Sequence, residues 1–168
     1  MKYLIFLGLP LFALDQFTKW LVRENIAYGS PGITIIPGFF TLVHATNTGA
    51  AFSMFTGNNL FFIGLAIIAL SVIIYFLIRD SLALNPEQRL NSLTRISFAL
   101  LFSGILGNLT DRILRGAVTD FLHFYIQNYA WPSFNIADSC ICIAAGLLII
   151  GSFGKQQGKP APLARRDS

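Results

Sequence analysis

Long apolar segments alternate with short polar segments along this chain of 168 residues. Each apolar segment approaches the ~20 residues that a helix needs to cross the hydrocarbon core of a bilayer. The pattern predicts an integral membrane protein, mainly α-helical, with four transmembrane helices that cover approximately residues 1–22, 59–79, 93–113 and 135–153.

Two segments outside these helices have a different pattern. Residues 33–54 are rich in β-branched and aromatic residues and are interrupted by Pro37-Gly38 and Asn47-Thr48-Gly49. This pattern is typical of short strands and turns, so we predict a small β-cradle lying against the membrane surface at its outer face. Residues 114–134 are dense in Phe, Tyr and Trp, which predicts a short segment at the membrane–water interface.

The composition supports the same class of protein. Hydrophobic residues make up 54% of the chain and charged residues only 12%, whereas about a quarter of an average soluble domain is charged. The net charge of +4 is spread over short loops and the tail, so we do not expect a nucleic-acid partner. We predict one domain over residues 1–154 and a disordered cytoplasmic tail over residues 155–168, where Gly, Pro, Lys and Arg are frequent.

The distribution of basic residues predicts the orientation. If the N-terminus is cytoplasmic, eight of the twelve Lys and Arg residues lie on the cytoplasmic side, as the positive-inside rule requires. Those eight residues are Lys2, Arg79, Arg89, Arg95, Lys155, Lys159, Arg165 and Arg166. Both termini are then cytoplasmic.

Four acidic residues occupy energetically costly positions. Asp15, Asp111 and Asp138 lie in or at the ends of apolar segments, and Asp120 lies in the aromatic outer segment. An ionisable group inside a membrane costs a few kcal/mol, so each of these is a functional hypothesis. The predicted topology brings all four toward the outer face, which indicates a single site.

Two of these acids have nearby basic residues. Asp15 and Lys19 are four residues apart and share one helix face, so we expect an intrahelical ion pair. Asn108, Asp111 and Arg112 can supply interhelical hydrogen bonds and a charge pair. We therefore expect these residues to support the site rather than to perform its chemistry.

Asp120 and Asp138 have no Lys or Arg within four positions. Two carboxylates in a poorly hydrated site can share one proton, so that one acts as a base on water and the other as an acid. Asn135 precedes Asp138 by three residues and could cap the fourth helix or orient a neighbour. The residues alone leave peptidase chemistry and a proton or ion relay open. A non-catalytic assembly subunit is a third hypothesis, in which the polar residues join helices.

The sequence does not predict a metal site. His44 and His123 are isolated and lack the paired spacing of zinc ligands. Cys140 and Cys142 are two residues apart, so on a helix they point to different faces. We therefore expect neither a metal nor another cofactor.

Five motifs, in order along the chain, carry a resemblance to a known family. They are Asp15-Gln16-Phe17-Thr18-Lys19, Asn47-Thr48-Gly49-Ala50-Ala51-Phe52-Ser53, Gly107-Asn108-Leu109-Thr110-Asp111-Arg112, Val118-Thr119-Asp120-Phe121 and Phe134-Asn135-Ile136-Ala137-Asp138-Ser139. Together they resemble the lipoprotein signal peptidase (signal peptidase II) family of bacterial membranes.

The resemblance implies a cofactor-free aspartic endopeptidase of the bacterial cytoplasmic (inner) membrane. Such enzymes cleave diacylglyceryl-modified prolipoproteins on the N-terminal side of the lipidated cysteine. The catalytic pair carries over onto Asp120 and Asp138. Supporting positions carry over onto Asp15, Lys19, Asn47, Gly49, Asn108, Asp111, Arg112 and Asn135. We expect a monomer that works among membrane phospholipids, with its active site toward the outer face.

Overall fold

Four helices form the body of the protein in the computed structural model, which describes residues 1–49 and 57–156. A π-helical turn, Leu4–Gly8, leads directly into the first helix. The helices are α1 (Leu9–Asn25), α2 (Asn59–Leu82), α3 (Ser92–Arg115) and α4 (Ile136–Gln156). All four are long and apolar enough to span a membrane, which confirms the predicted architecture.

Local signals define the ends of α3. The Asn91 side chain accepts a hydrogen bond from the Thr94 N–H and so caps the first turn. Gly116 ends the helix with a left-handed φ of 76°, which favours glycine because a Cβ would be strained there. α4 extends three residues beyond its predicted end at residue 153. Residues 157–168 of the predicted tail lie outside the described residues.

α3 is the central helix and packs against the other three. Gly104 and Gly107 allow this close packing. A Cβ at Gly104 would clash with the Ala137 carbonyl oxygen of α4, and one at Gly107 would lie 2.6 Å from Asp15 Oδ2 of α1. Small residues at such contacts let the backbones of membrane helices approach closely.

A four-stranded antiparallel sheet covers one end of the bundle. Its strands, in spatial order, are β1 (Ile33–Ile36), β2 (Phe40–Asn47), β3 (Val118–Ile126) and β4 (Tyr129–Ala130). The first two confirm the strands predicted in residues 33–54, of which residues 50–54 lie outside the described part. The prediction of an interfacial segment over residues 114–134 missed β3 and β4, because aromatic density is common to both kinds of structure.

A small apolar cluster attaches the sheet to the helices. Val22 and Ile26 at the end of α1 pack against Phe121 of β3, and all three side chains are buried. In the sheet, Ala45 of β2 pairs with Asp120 of β3. The cluster therefore fixes the strand that carries Asp120 against the ends of the helices.

Candidate active site

The four acids come together at the end of the bundle that the sheet covers. Asp120 comes from β3, Asp138 from the first turn of α4, Asp15 from α1 and Asp111 from α3. A network of hydrogen bonds and ion pairs links them. The sequence prediction that these acids meet at one end of the bundle agrees with this arrangement.

Asn135 and Asp138 together form a reciprocal cap at the start of α4. The Asp138 N–H donates to Asn135 Oδ1 over 2.9 Å, and the Asn135 N–H donates to Asp138 Oδ2 over 3.2 Å. This is the geometry of a capping box, here with an aspartate in the position that Glu or Gln usually occupies. The cap fixes the Asp138 carboxylate relative to the helix that carries it.

The same asparagine also binds the second acid. Asn135 Nδ2 donates to Asp120 Oδ1 over 2.7 Å, and the Asn135 side chain is fully buried. One amide therefore contacts both Asp120 and the backbone of Asp138. Because its oxygen accepts from the Asp138 N–H, its nitrogen has to face the Asp120 carboxylate.

Asn108 holds Asp138 from the side of α3. Its Nδ2 donates to Asp138 Oδ1 over 2.7 Å, and its Oδ1 accepts from Lys19 Nζ over 3.0 Å. The lysine thus fixes the orientation of the amide, and the amide presents a donor to the carboxylate. Asn108 connects Asp138 to the ionic cluster described next.

The ionic cluster consists of Asp15, Lys19 and Asp111, and all three side chains are fully buried. Lys19 Nζ lies 2.9 Å from Asp15 Oδ2, as predicted, and 3.4 Å from Asp111 Oδ2. Asp15 Oδ1 accepts from the Ala137 N–H of α4, and Asp111 Oδ2 accepts from the Thr119 N–H of β3. The cluster therefore joins three helices and a strand.

The predicted ion pair between Asp111 and Arg112 is wrong. Asp111 pairs with Lys19 and, at 3.2 Å, with Arg115. Arg112 Nη2 donates instead to the Gly49 carbonyl over 2.9 Å. Neighbouring residues on an α-helix point about 100° apart, so Asp111 faces the bundle interior and Arg112 faces α2.

Asn47 and Gly49 form the end of β2 next to the acids. Asn47 Oδ1 accepts from the Gly49 N–H over 2.9 Å, which closes a short turn. The Asn47 side chain also lies near Asp120 and lowers the pKa of its carboxyl. The turn presents the Gly49 carbonyl to Arg112 and thereby links the sheet to α3.

The contacts of Thr119 were not predicted from the sequence. Its N–H donates to Asp111, its carbonyl accepts from Asn135 Nδ2 over 3.3 Å, and its hydroxyl accepts from Arg23 over 3.1 Å. These contacts fix the backbone just before Asp120. No spacing rule could reveal them, because the partners lie on α1, on α3 and at the start of α4.

The Asp120 carboxyl is 4% exposed, and this burial raises its pKa. The negative charge of nearby Asp138 raises the pKa further, whereas hydrogen bonds from Asn135 and Asn47 and the charge of Lys19 lower it. The net result is a pKa of about 7 for Asp120. Near neutral pH this carboxyl can therefore hold or release a proton.

The family model for signal peptidase (SPase) II matches residues 7–154 of this chain, which include the whole network. The chain belongs to the signal peptidase II family.

Individual relatives agree with this family. The lipoprotein signal peptidase of Symbiobacterium thermophilum is 42% identical over 146 residues, which cover 87% of this chain and 91% of the relative. The lipoprotein signal peptidase of Azoarcus sp. (strain BH72) is 37% identical, over 96% of this chain and 89% of the relative.

The fold is also found in solved structures. One bacterial membrane enzyme superposes with a TM-score of 0.84 at 32% identity and covers 97% of this chain and 95% of its own. A second bacterial membrane enzyme superposes with a TM-score of 0.77 at 34% identity, over 90% and 93% of the two chains.

Most side chains of the network lie in the five motifs that carry the resemblance to signal peptidase II. Four residues that contact the network lie outside those motifs: Arg23, Arg115, Asn59 and Phe62. Sequence reasoning missed these four residues because each acts through a partner far along the chain or, for Arg115, through an aspartate whose partner was wrongly predicted.

Proposed function

We propose that this chain is an intramembrane aspartic endopeptidase that removes the signal peptide from diacylglyceryl-modified prolipoproteins. Cleavage occurs on the N-terminal side of the lipidated cysteine. The observation that carries the proposal is the Asn135 amide, which contacts both the Asp120 carboxylate and the Asp138 backbone. Membership of the signal peptidase II family supports the substrate class.

Asp120 and Asp138 are the proposed catalytic pair. Asp138 accepts a backbone N–H and lies in the first turn of α4, where the positive end of the helix dipole stabilises negative charge. Asp120 has a pKa of about 7. We therefore assign the negative charge of the resting pair to Asp138 and the shared proton to Asp120.

The reaction then follows general acid–base catalysis by the two carboxyl groups. Asp138 takes a proton from water as the water oxygen attacks the scissile carbonyl carbon, and Asp120 gives its proton to the carbonyl oxygen. Asp138 then passes its proton to the amide nitrogen as the C–N bond breaks. Asp120 recovers a proton from the diol, and the pair returns to its starting state. The two aspartate side chains and one water molecule supply every proton that these reaction steps need.

The remaining predicted site residues are proposed to support this pair. Asn47, Asn108 and Asn135 orient the two carboxylates, and the ionic cluster of Asp15, Lys19 and Asp111 fixes the elements that carry them. Arg112, held at Gly49, is proposed to bind the substrate backbone.

The proposed location is the bacterial cytoplasmic membrane. Both termini are placed in the cytoplasm and the active site toward the outer face, with the basic residues concentrated on the cytoplasmic side. The signal helix of the substrate would enter laterally from the lipid. The enzyme is proposed to act as a single-domain monomer among phospholipids, with the chain after the end of α4 at Gln156 as a cytoplasmic tail.

The decisive experiment compares a lipidated prolipoprotein with its unlipidated form, using purified enzyme in lipid nanodiscs. We expect cleavage of the lipidated form alone, read by mass spectrometry of the released peptide. Equal cleavage of both forms would contradict the substrate class. Acid-dependent ion flux in proteoliposomes, without cleavage of either form, would favour a relay instead.

The pKa of Asp120 predicts a pH dependence. The pair needs its shared proton, so kcat/KM should fall about tenfold per pH unit as the pH rises above about 7, because Asp120 then ionises. A pH–rate profile of cleavage tests this, with Glu24→Gln as a control. Glu24 is an exposed acid at the end of α1, and its replacement should leave the profile unchanged. Constant activity between pH 6 and 9 would contradict the assignment.

A further inference from the structure

The guanidinium of Arg112 is held on two sides by groups outside the carboxylate pair. Nη2 donates to the Gly49 carbonyl over 2.9 Å. The ring of Phe62, on α2, lies against the guanidinium, with 5.0 Å between the Arg112 Cζ atom and the ring centroid. A cation at this distance from an aromatic face is attracted by the quadrupole of the ring.

A second contact fixes α2 at this place. Asn59 Nδ2 donates to the backbone carbonyl of Arg112 over 3.1 Å. Asn59 and Phe62 are three residues apart, so both lie on the same face of α2. The amide fixes the helix and the ring supports the guanidinium, so Arg112 is fixed at both its backbone and its side chain.

The described part of the chain leaves some donors of Arg112 unused. Among residues 1–49 and 57–156, Nε is buried without a hydrogen-bond partner and Nη1 has none. Within the same residues, no carboxylate oxygen lies within 4.0 Å of the guanidinium. Asn108, four residues before Arg112 on the same face of α3, donates to Asp138 Oδ1, so the arginine lies next to the helix turn that contacts the carboxylate pair. A cation beside the two carboxylates, but not paired with either, keeps donors for a ligand.

We propose that Phe62 is a positioning residue for cleavage: its ring holds the Arg112 guanidinium so that an N–H group without a partner among the described residues meets the substrate carbonyl as negative charge develops on its oxygen. The inference rests on the proposed function, since it requires a peptide carbonyl at the carboxylate pair. Donors fixed before the reaction stabilise such charge without reorganisation. The ring also covers the guanidinium that carries the unpartnered Nε.

The chemistry of the ring provides a sharp test. Replacement of Phe62 by 4-fluoro-, 3,5-difluoro- and 3,4,5-trifluorophenylalanine keeps the shape of the side chain while it reduces the negative charge of the ring face. We expect kcat on a lipidated prolipoprotein to fall stepwise with each fluorine, by about tenfold at three, with a smaller change in KM. The midpoint of thermal unfolding should change little, because packing is retained.

Phe76 supplies a matched control on the same helix. Its ring contacts Phe98, with 6.0 Å between the ring centroids, and no cation lies over it among the described residues. The same fluorinated series at Phe76 should leave kcat unchanged. Natural substitutions give a second check: Phe62→Trp should retain activity, whereas Phe62→Leu should lose about as much as the trifluoro variant.

The outcomes separate this inference from the proposed function. If the wild-type enzyme cleaves the lipidated substrate but kcat is constant across the Phe62 series, the positioning role is wrong and the proposed function stands. An equal decrease in the Phe76 series would also overturn the role, because fluorination itself would then be the cause. Failure of the wild-type enzyme to cleave would overturn both.

Discussion

Asp120→Asn is expected to abolish cleavage of a lipidated prolipoprotein, with a loss of about 10³-fold or more in kcat, while the protein still inserts and folds. An asparagine cannot hold the shared proton of the pair. It does keep an oxygen to accept the 2.7 Å hydrogen bond from Asn135, so the network should survive. Activity in nanodiscs and thermal unfolding, measured on the same preparation, provide the test.

Asp138→Asn should abolish activity to the same extent but with a cost in stability. Both carboxylate oxygens of Asp138 accept hydrogen bonds, from Asn108 and from the Asn135 N–H. The NH₂ group of an asparagine would meet one of these donors, so we expect a loss of about 1–3 kcal/mol in unfolding free energy. Asp120→Asn is therefore the cleaner test of chemistry.

Glu24→Gln serves as the matched control for both aspartate variants. It also replaces an acid by its amide and removes one negative charge, but from an exposed side chain near the end of α1. It should change neither activity nor stability. Substantial cleavage by purified Asp120→Asn or Asp138→Asn enzyme would refute the proposed catalytic pair.

Lys19→Met is expected to produce the largest loss of stability among these variants. The lysine is fully buried and lies within 3.4 Å of both Asp15 and Asp111. Its removal leaves buried carboxylates without their shared cation, and breaking a buried ion pair in this way costs about 3–5 kcal/mol. Chemical denaturation or heating in detergent micelles, followed by circular dichroism, measures the change.

A second substitution tests the cause. In Lys19→Met/Asp15→Asn, one uncompensated charge is removed, and the asparagine oxygen can still accept the Ala137 N–H. We expect this double variant to be more stable than Lys19→Met alone, since neighbouring substitutions are not additive. Lys2→Met, at an exposed lysine, should have no effect. A double variant less stable than the single one would show that packing, and not charge, dominates.

The helices could be predicted from the sequence because hydrophobic length alone determines them. An apolar run of about 20 residues has few alternatives in a membrane protein. The Asp15–Lys19 pair and the cap by Asn135 could also be predicted, since both follow from the helical spacing of nearby residues. The structure has both.

Contacts between elements that are distant along the chain could not be predicted in this way. The contact of Lys19 with Asp111 crosses from α1 to α3, and the three contacts of Thr119 reach three different elements. Adjacency along the chain suggested that Asp111 pairs with Arg112, but the helical twist separates them. β3 was missed because its aromatic residues also suit a membrane interface.

The reciprocal cap between Asn135 and Asp138 has a consequence for drug resistance. An inhibitor that hydrogen-bonds to these two side chains would use the same atoms that begin α4. A substitution that weakens such an inhibitor would also weaken the start of the helix and the proposed catalytic pair. Resistance to such an inhibitor is therefore expected from substitutions remote from this cap rather than from changes in the residues that the inhibitor contacts.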